Sequence, residues 1–389
     1  MIPIIYDTLL MLMLVILYFC GKEIAKSGKV FSKAGIIAIL SFTLNEGLRF
    51  GRGLDYNLYG MAFDGYLKGE PIDKEFLYSF LIKLLINVGI PFQGLIIIQS
   101  FLFIIGILCL LSNFRDIIPF ALPFFVLFSL LVFENLIRWY LGFSFVLLGI
   151  NLLVKKKSII YFFLVSELGA FFHVGLLPIP VIIYLIYRIK KPLISPIISI
   201  PIYIAIGLFV KSDIMLFFAN YLKLLSFVSE RSESYVENAE RWLSSGALEI
   251  EQSSFDGLFT IIYLFVIIWF GYYLVKTMEH KYNFIYNLFV IGFMLKPLAN
   301  QIEILTRYNY CLYCFGGIIA SVVFVYNTQI LNKAINGLLF TIILAFQLNI
   351  LRSPFRYAEE KYLYVWDIGN KTYNTMYSFW INDIYQKNK

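Results

Sequence analysis

Long apolar blocks, broken by short basic clusters and by glycine or proline, make up most of the chain. Read against that punctuation, the blocks predict helices near 4–20, 34–48, 94–112, 117–133, 136–154, 158–172, 174–188, 193–210, 257–276, 282–299, 309–327 and 333–349. One stretch differs. Residues 70–90 intersperse Asp73, Lys74, Glu75 and Lys83 with Phe76, Leu77, Phe80, Leu81, Leu84 and Leu85, a pattern that predicts an amphipathic helix lying on a membrane surface. Pro119, Pro123, Pro178, Pro180, Pro196 and Pro201 fall within apolar segments, where they kink helices and leave neighbours to satisfy the freed carbonyls.

Composition fixes the class. The 389 residues are 60% hydrophobic and 15% charged, against an apolar share of about 45–50% in soluble globules. An all-α polytopic membrane bundle of about twelve crossings is expected. It divides into a membrane domain over 1–349, carrying the outer amphipathic segment 70–90 and an outer loop 211–256, and an aromatic-rich outer tail over 350–389. Lys22, Lys26, Lys29 and Lys33, then Lys155, Lys156 and Lys157, then Arg188, Lys190 and Lys191, then Lys276 and Lys281, all fall on one side if these helices alternate. Short basic loops mark the cytoplasm, so both termini are expected outside. The long outer segments also hold basic residues, but these are mixed with acids such as Glu230, Glu233, Glu237 and Glu240.

The net charge of +7 is scattered through these clusters and makes no continuous patch, so no nucleic-acid partner is expected. Cys20, Cys109, Cys311 and Cys314 lie in or beside apolar segments and read as packing residues, including the CxxC pair. Ile4 to Phe19 is preceded by no Lys or Arg, unlike a cleavable signal peptide.

The remaining polar residues collect at one rim. Arg49, Arg52 and Asp55 lie where the second helix meets the outer surface, Arg138 opens the fifth helix, His173 occupies the turn between the sixth and seventh, and Arg307 precedes the eleventh. Guanidinium forks match phosphate oxygens, so a cluster of them near an outer leaflet suits a lipid-linked diphosphate. Each could instead snorkel or pair locally, Arg138 with Glu134 four residues before it and Arg52 with Asp55 three after it. His173 could carry a proton or donate to a phosphate or sugar hydroxyl, or serve as a hydrogen-bonded structural residue; no neighbouring ligand spacing points to a metal. His280 reads as solvated, and Glu167 as an intramembrane acid in a buried polar contact. Tyr357, Tyr362, Tyr364, Trp366, Tyr373, Tyr377, Trp380 and Tyr385 in the tail, with Tyr221, Tyr235 and Trp242 in the loop, suit either an interfacial aromatic belt or stacking on sugars.

Gly51-Arg52-Gly53-Leu54-Asp55-Tyr56 with Tyr59, then Glu70-Pro71, then Asn135-Leu136-Ile137-Arg138-Trp139, then Phe172-His173-Val174-Gly175-Leu176, then Arg307, follow one another in an order that resembles the EpsG family of polysaccharide polymerases, relatives of Wzy-type O-antigen and capsule polymerases. The resemblance spans about residues 45–325. Trp139 stands where the family has a small or polar residue, and Gly175 where it often has Ser.

The resemblance implies a GT-C-like helical fold related to the lipid-phosphosugar transferases, in the bacterial plasma membrane. It implies a glycosyltransferase that joins undecaprenyl-diphosphate-linked repeat units on the outer face. Arg52, Arg138 and Arg307, with Arg49, would contact the diphosphate; Asp55 or His173 would be the acceptor base or orienting group; Tyr56 and Tyr59 would line the glycan path. Donor and acceptor lipid-linked glycans, the bilayer and a chain-length regulator are the expected partners, with no cofactor. A lipid-linked oligosaccharide flippase and a membrane-bound O-acyltransferase are the competing functions, distinguished by transbilayer movement without chain growth and by acyl groups on the glycan.

Overall fold

The computed structural model describes residues 2–72, 74–209, 254–299, 303–326, 332, 335–338, 341–342, 344–345 and 362–387. The loop expected over 211–256 lies outside these apart from residues 254–256, and so do Tyr221, Tyr235, Trp242 and Tyr357 and most of the helix expected at 333–349. Among the described residues the regular structure is helical, with no strand. The helices are α1 (Ile2–Ser27), α2 (Lys33–Gly47), α3 (Leu54–Leu67), α4 (Phe76–Asn87), α5 (Phe92–Leu111), α6 (Ile118–Asn135), α7 (Ile137–Val154), α8 (Ile159–Glu167), α9 (Ile179–Tyr187), α10 (Pro196–Phe209), α11 (Ser254–Val275), α12 (His280–Ala299), α13 (Glu303–Tyr313), α14 (Gly316–Tyr326) and α15 (Tyr373–Lys387).

Among the described residues, five stretches are long and apolar enough to cross a membrane: Ile2–Ser27, Phe92–Leu111, Ile118–Asn135, Ile137–Val154 and Leu305–Tyr326. Helix α3 was not expected as a helix; it occupies part of the stretch read as an outer connection. Helix α4 falls within the predicted amphipathic segment. It buries Tyr78, Ile82 and Leu85 and exposes Phe76, Phe80, Leu84 and Val88. Apolar surface on both sides suits an element packed on protein and facing lipid.

The chain forms two compact units, residues 1–188 with 317–383, and residues 189–316 with 384–389. In the first, α6 packs on α1, α1 on α2, α2 on α5, α5 on α7, and α7 on α8. In the second, α12 packs against α10, α11 and α13, and Asn287 fixes the segment entering α10 by accepting from Leu193 N at 2.7 Å and donating to Lys191 O at 3.0 Å.

Glycines set the closest approach in the first unit. A Cβ at Gly142 would stand 2.5 Å from Gly169 O, one at Gly169 would stand 2.5 Å from Gly142 O, and one at Gly149 would collide with Ser166 Oγ. Lipid supplies no hydrophobic drive between helices, so such backbone proximity is what makes their packing favourable. Segment 158–173 therefore runs antiparallel along α7. It is not one continuous helix: α8 has nine residues and ends at Glu167, and turns carry the chain from there to His173. The zippered approach carries His173 to the depth of Trp139, with the two rings 4.9 Å apart. Gly142→Leu is expected to overpack this contact by about 1–3 kcal/mol or more, read as a lower unfolding temperature of the detergent-purified protein, while a substitution at exposed Ile160 leaves it unchanged.

Candidate functional site

The segment between α2 and α3 is a tight turn that only glycine can make. Gly51 and Gly53 take φ values of 67° and 95°, in the left-handed region. Space is short as well, since a Cβ on Gly53 would stand 2.7 Å from Asn135 Oδ1, the atom that accepts from Asp55 N at 3.1 Å. Asn57 Nδ2 closes the turn by donating to Gly51 O at 3.0 Å and Gly53 O at 2.8 Å. The Tyr56 hydroxyl lies 3.1 Å from both Arg49 O and Gln93 Oε1.

The turn drives two guanidinium groups inward, and both are fully buried. Arg49 donates through Nη1 to Glu46 O at 2.7 Å and through Nη2 to Gln99 Oε1 at 2.9 Å, with its plane 4.9 Å from the Phe133 ring centre. Arg52 pairs through Nη1 with Glu134 Oε1 at 2.9 Å and lies between the rings of Tyr6 and Tyr364, at 4.6 and 4.4 Å. Burial alone favours the neutral form of each. For Arg49 burial wins and lowers the pKa, whereas for Arg52 the Glu134 carboxylate, with Tyr364 and Glu46, outweighs burial and raises it. Two acids, Glu46 and Glu134, are buried beside them, and of these Glu134 is ion-paired with Arg52.

The tail seals this cluster. Phe50 N donates to Leu363 O at 3.0 Å and Val365 N to Leu48 O at 2.9 Å, so a short antiparallel bridge aligns Tyr364 with Arg49. Tyr364 Oη donates to Asn45 Oδ1 at 2.9 Å, and Asn45 Nδ2 donates to Glu46 Oε1 at 2.8 Å. Trp380 Nε1 donates to Gly51 O at 2.8 Å, and Met376 fills the space beside Gly51. Tyr362, Tyr364 and Trp380 thus contact protein, and Trp366, stacked on Tyr364 at 4.7 Å, is the more exposed ring.

A second cluster forms beyond the break between α6 and α7. Leu136, at φ −89° and ψ 70°, ends one helix and begins the next. Glu134 and Arg138 are therefore not an i,i+4 pair on one helical face, and each finds its ion-pair partner far away in sequence. Glu134 holds Arg52, while Arg138 Nη1 pairs with Glu75 Oε2. Arg138 Nε also donates to Tyr59 Oη at 2.6 Å, and its plane lies 5.3 and 5.4 Å from the rings of Tyr59 and Tyr78. The other Glu75 oxygen accepts from Val174 N at 3.3 Å, which draws in the His173 turn. His173 Nδ1 accepts from Gly175 N at 3.1 Å, so the proton of a neutral ring resides on Nε2. Asp55 lies one helical turn before Tyr59 on the same face of α3.

Asp55, Tyr59, Glu75 and His173 are half-buried, in contrast to the enclosed Arg49 and Arg52. Arg307 is half-buried in α13, within the second unit. Trp139 and Gly175 are in contact: a Cβ at Gly175 would stand 2.8 Å from Trp139 Cζ3. The four cysteines are free thiols. Among the described residues no group of three His, Cys, Asp or Glu side chains is arranged to hold a metal ion.

Sequence reading missed Glu75, taken only as part of an amphipathic polar face, and Glu46, Gln99 and Asn45. A signal for the last three existed: they are polar residues on otherwise apolar helices, which in a membrane chain need partners. A family model described as the EpsG family matches residues 33–364. No curated protein and no solved structure matches.

Glu134→Leu is expected to cost about 3–5 kcal/mol by stranding the Arg52 charge. Arg52→Met combined with Glu134→Leu should recover much of that loss, as measured by unfolding of the four members of the double-mutant cycle.

Proposed function

The chain belongs to the EpsG family, and from that premise we propose that it is a polysaccharide polymerase that joins lipid-linked oligosaccharide repeats at the outer face of the bacterial plasma membrane. It is a bundle of about twelve crossings with a GT-C-like relation to lipid-phosphosugar transferases, with both termini outside. The observation that carries the reading is the Arg138 cluster, in which a guanidinium from α7 meets the Tyr59 phenol of α3 and the Glu75 carboxylate at the start of α4, with the His173 turn held to that carboxylate through Val174 N.

The reaction breaks the bond between the anomeric carbon of the donor glycan and the oxygen of undecaprenyl diphosphate, and the electron pair leaves with that oxygen. Arg138 stabilises the charge that develops there. An acceptor sugar hydroxyl attacks the anomeric carbon and passes its proton to a carboxylate. Asp55 is assigned that role in preference to His173, because the imidazole already uses Nδ1 as an acceptor and presents Nε2–H as a donor. His173 then orients a phosphate or sugar oxygen. Tyr59, bonded to Arg138 and half-buried, borders the glycan path. Arg49, Arg52 and Tyr56 are enclosed and hold the loop from which α3 projects Asp55 and Tyr59.

The test is extension of a defined undecaprenyl-diphosphate-linked repeat by the purified protein in lipid vesicles. Arg138→Ala should insert normally and lower extension by about a hundredfold or more. Asp55→Asn should fall similarly, and His173→Ala somewhat less. Wild-type extension by all three variants overturns the reading, as does movement of lipid-linked repeats between leaflets without any lengthening.

A further inference from the structure

The Glu75 carboxylate sits in surroundings built for an anion. One oxygen takes a charge-assisted bond from Arg138, and the other takes the backbone N–H of Val174, the first residue of the 3-10 turn Val174–Leu176. His173 is the residue before Val174, and Arg138 Nε donates to Tyr59 Oη at 2.6 Å. A guanidinium fork and a backbone amide converging on two oxygens form a general arrangement for phosphate as much as for carboxylate.

Glu75 is also the member of this pair that has somewhere to go. Its side chain is 18% exposed and that of Arg138 6%. Its backbone is held independently, through Leu77 N donating to Phe171 O at 3.0 Å and Ser79 N donating to Glu75 O at 2.9 Å, so a change of its rotamer does not require α4 to move.

We propose that Glu75 is a resident stand-in for the substrate's diphosphate: its carboxylate occupies the Arg138 and Val174 N–H positions in the unliganded protein, and a phosphate or diphosphate binds there by displacing it. This rests on the proposed polymerase reading and adds the place of diphosphate binding and an intramolecular competitor. It also accounts for a site whose key cation is neutralised at rest, since an uncompensated guanidinium at this burial would be costly. The apparent affinity of the site for a phosphate ligand is then the intrinsic affinity reduced by the fraction of time Glu75 is absent.

The sign of the effect is the test. Full-length protein in nanodiscs is titrated calorimetrically with inorganic pyrophosphate, as wild type, Glu75→Gln, Glu75→Ala and Arg138→Ala, each first shown to melt cooperatively. Both Glu75 variants are expected to bind pyrophosphate about tenfold more tightly than wild type, corresponding to a competitor that occupies the site about nine-tenths of the time. Arg138→Ala should lose binding. Equal, weaker or absent binding in both Glu75 variants overturns the proposal, because a carboxylate that merely positions Arg138 would weaken binding when removed. A parallel fall in KM for the lipid-linked donor in Glu75→Gln assigns the site to the lipid diphosphate, and tighter pyrophosphate binding without it assigns the site to a free anion. Wild-type chain extension by Arg138→Ala would instead refute the polymerase site, whatever the titration shows.

Discussion

A charge carried into a low-dielectric interior must meet its opposite there, and around the α2–α3 turn that requirement organises everything nearby. Arg49 and Arg52 are fully buried, and Glu134 reaches Arg52 because α6 ends one residue later, at Asn135. Had α6 and α7 been continuous, Glu134 would share a face with Arg138 and the two would neutralise one another locally. The break at Leu136 separates them. One acid is sent to the enclosed cluster, and Arg138 is left to collect Tyr59 and Glu75 from other elements.

The two clusters do different work for that reason. The enclosed one is closed on all sides by Tyr6, Phe133 and the tail residue Tyr364, and its polar atoms bond to Gln99, Asn45 and backbone carbonyls. It makes a rigid base. The Arg138 cluster is less enclosed and brings together donors, acceptors and a neighbouring imidazole turn, the mixture that the proposed chemistry calls for. Close glycine contacts along α7 bring the His173 turn to it, so backbone packing and placement of the imidazole are one event.

The tail shows how an aromatic sequence is resolved by context. A run of tyrosine and tryptophan suits an interfacial belt or a sugar platform equally well by composition. Here Tyr362, Tyr364 and Trp380 turn toward protein, and the hydroxyl and indole groups bond to Asn45 and the Gly51 carbonyl. The polar tips find internal partners, and the arginine loop gains a lid from residues more than three hundred positions away in the chain.

Much of the architecture was legible in order of residues. Apart from α3, the helices from α1 to α12 followed from apolar runs and, for α4, from the amphipathic pattern, since lipid demands continuous apolar helix wherever the chain is in the bilayer. The glycines of Gly51-Arg52-Gly53 announced a turn, and the spaced motifs announced the family. Helix α3 escaped because it is neither apolar enough for a crossing nor strongly one-sided, and Glu75 escaped because a carboxylate on an amphipathic segment looks solvated until its partners are known. Local spacing also suggested ion pairs of Arg138 with Glu134 and Arg52 with Asp55, while the ion pairs formed join positions 63 and 82 residues apart. Sequence by itself determined where the chain must be helical, which residues are expensive to bury and which family they belong to, because these follow from solvation and order along one dimension. Only the tertiary structure decided which acid meets which arginine and which carboxylate stands beside His173, because the cost of burying a charge names the need for a partner and geometry alone selects it.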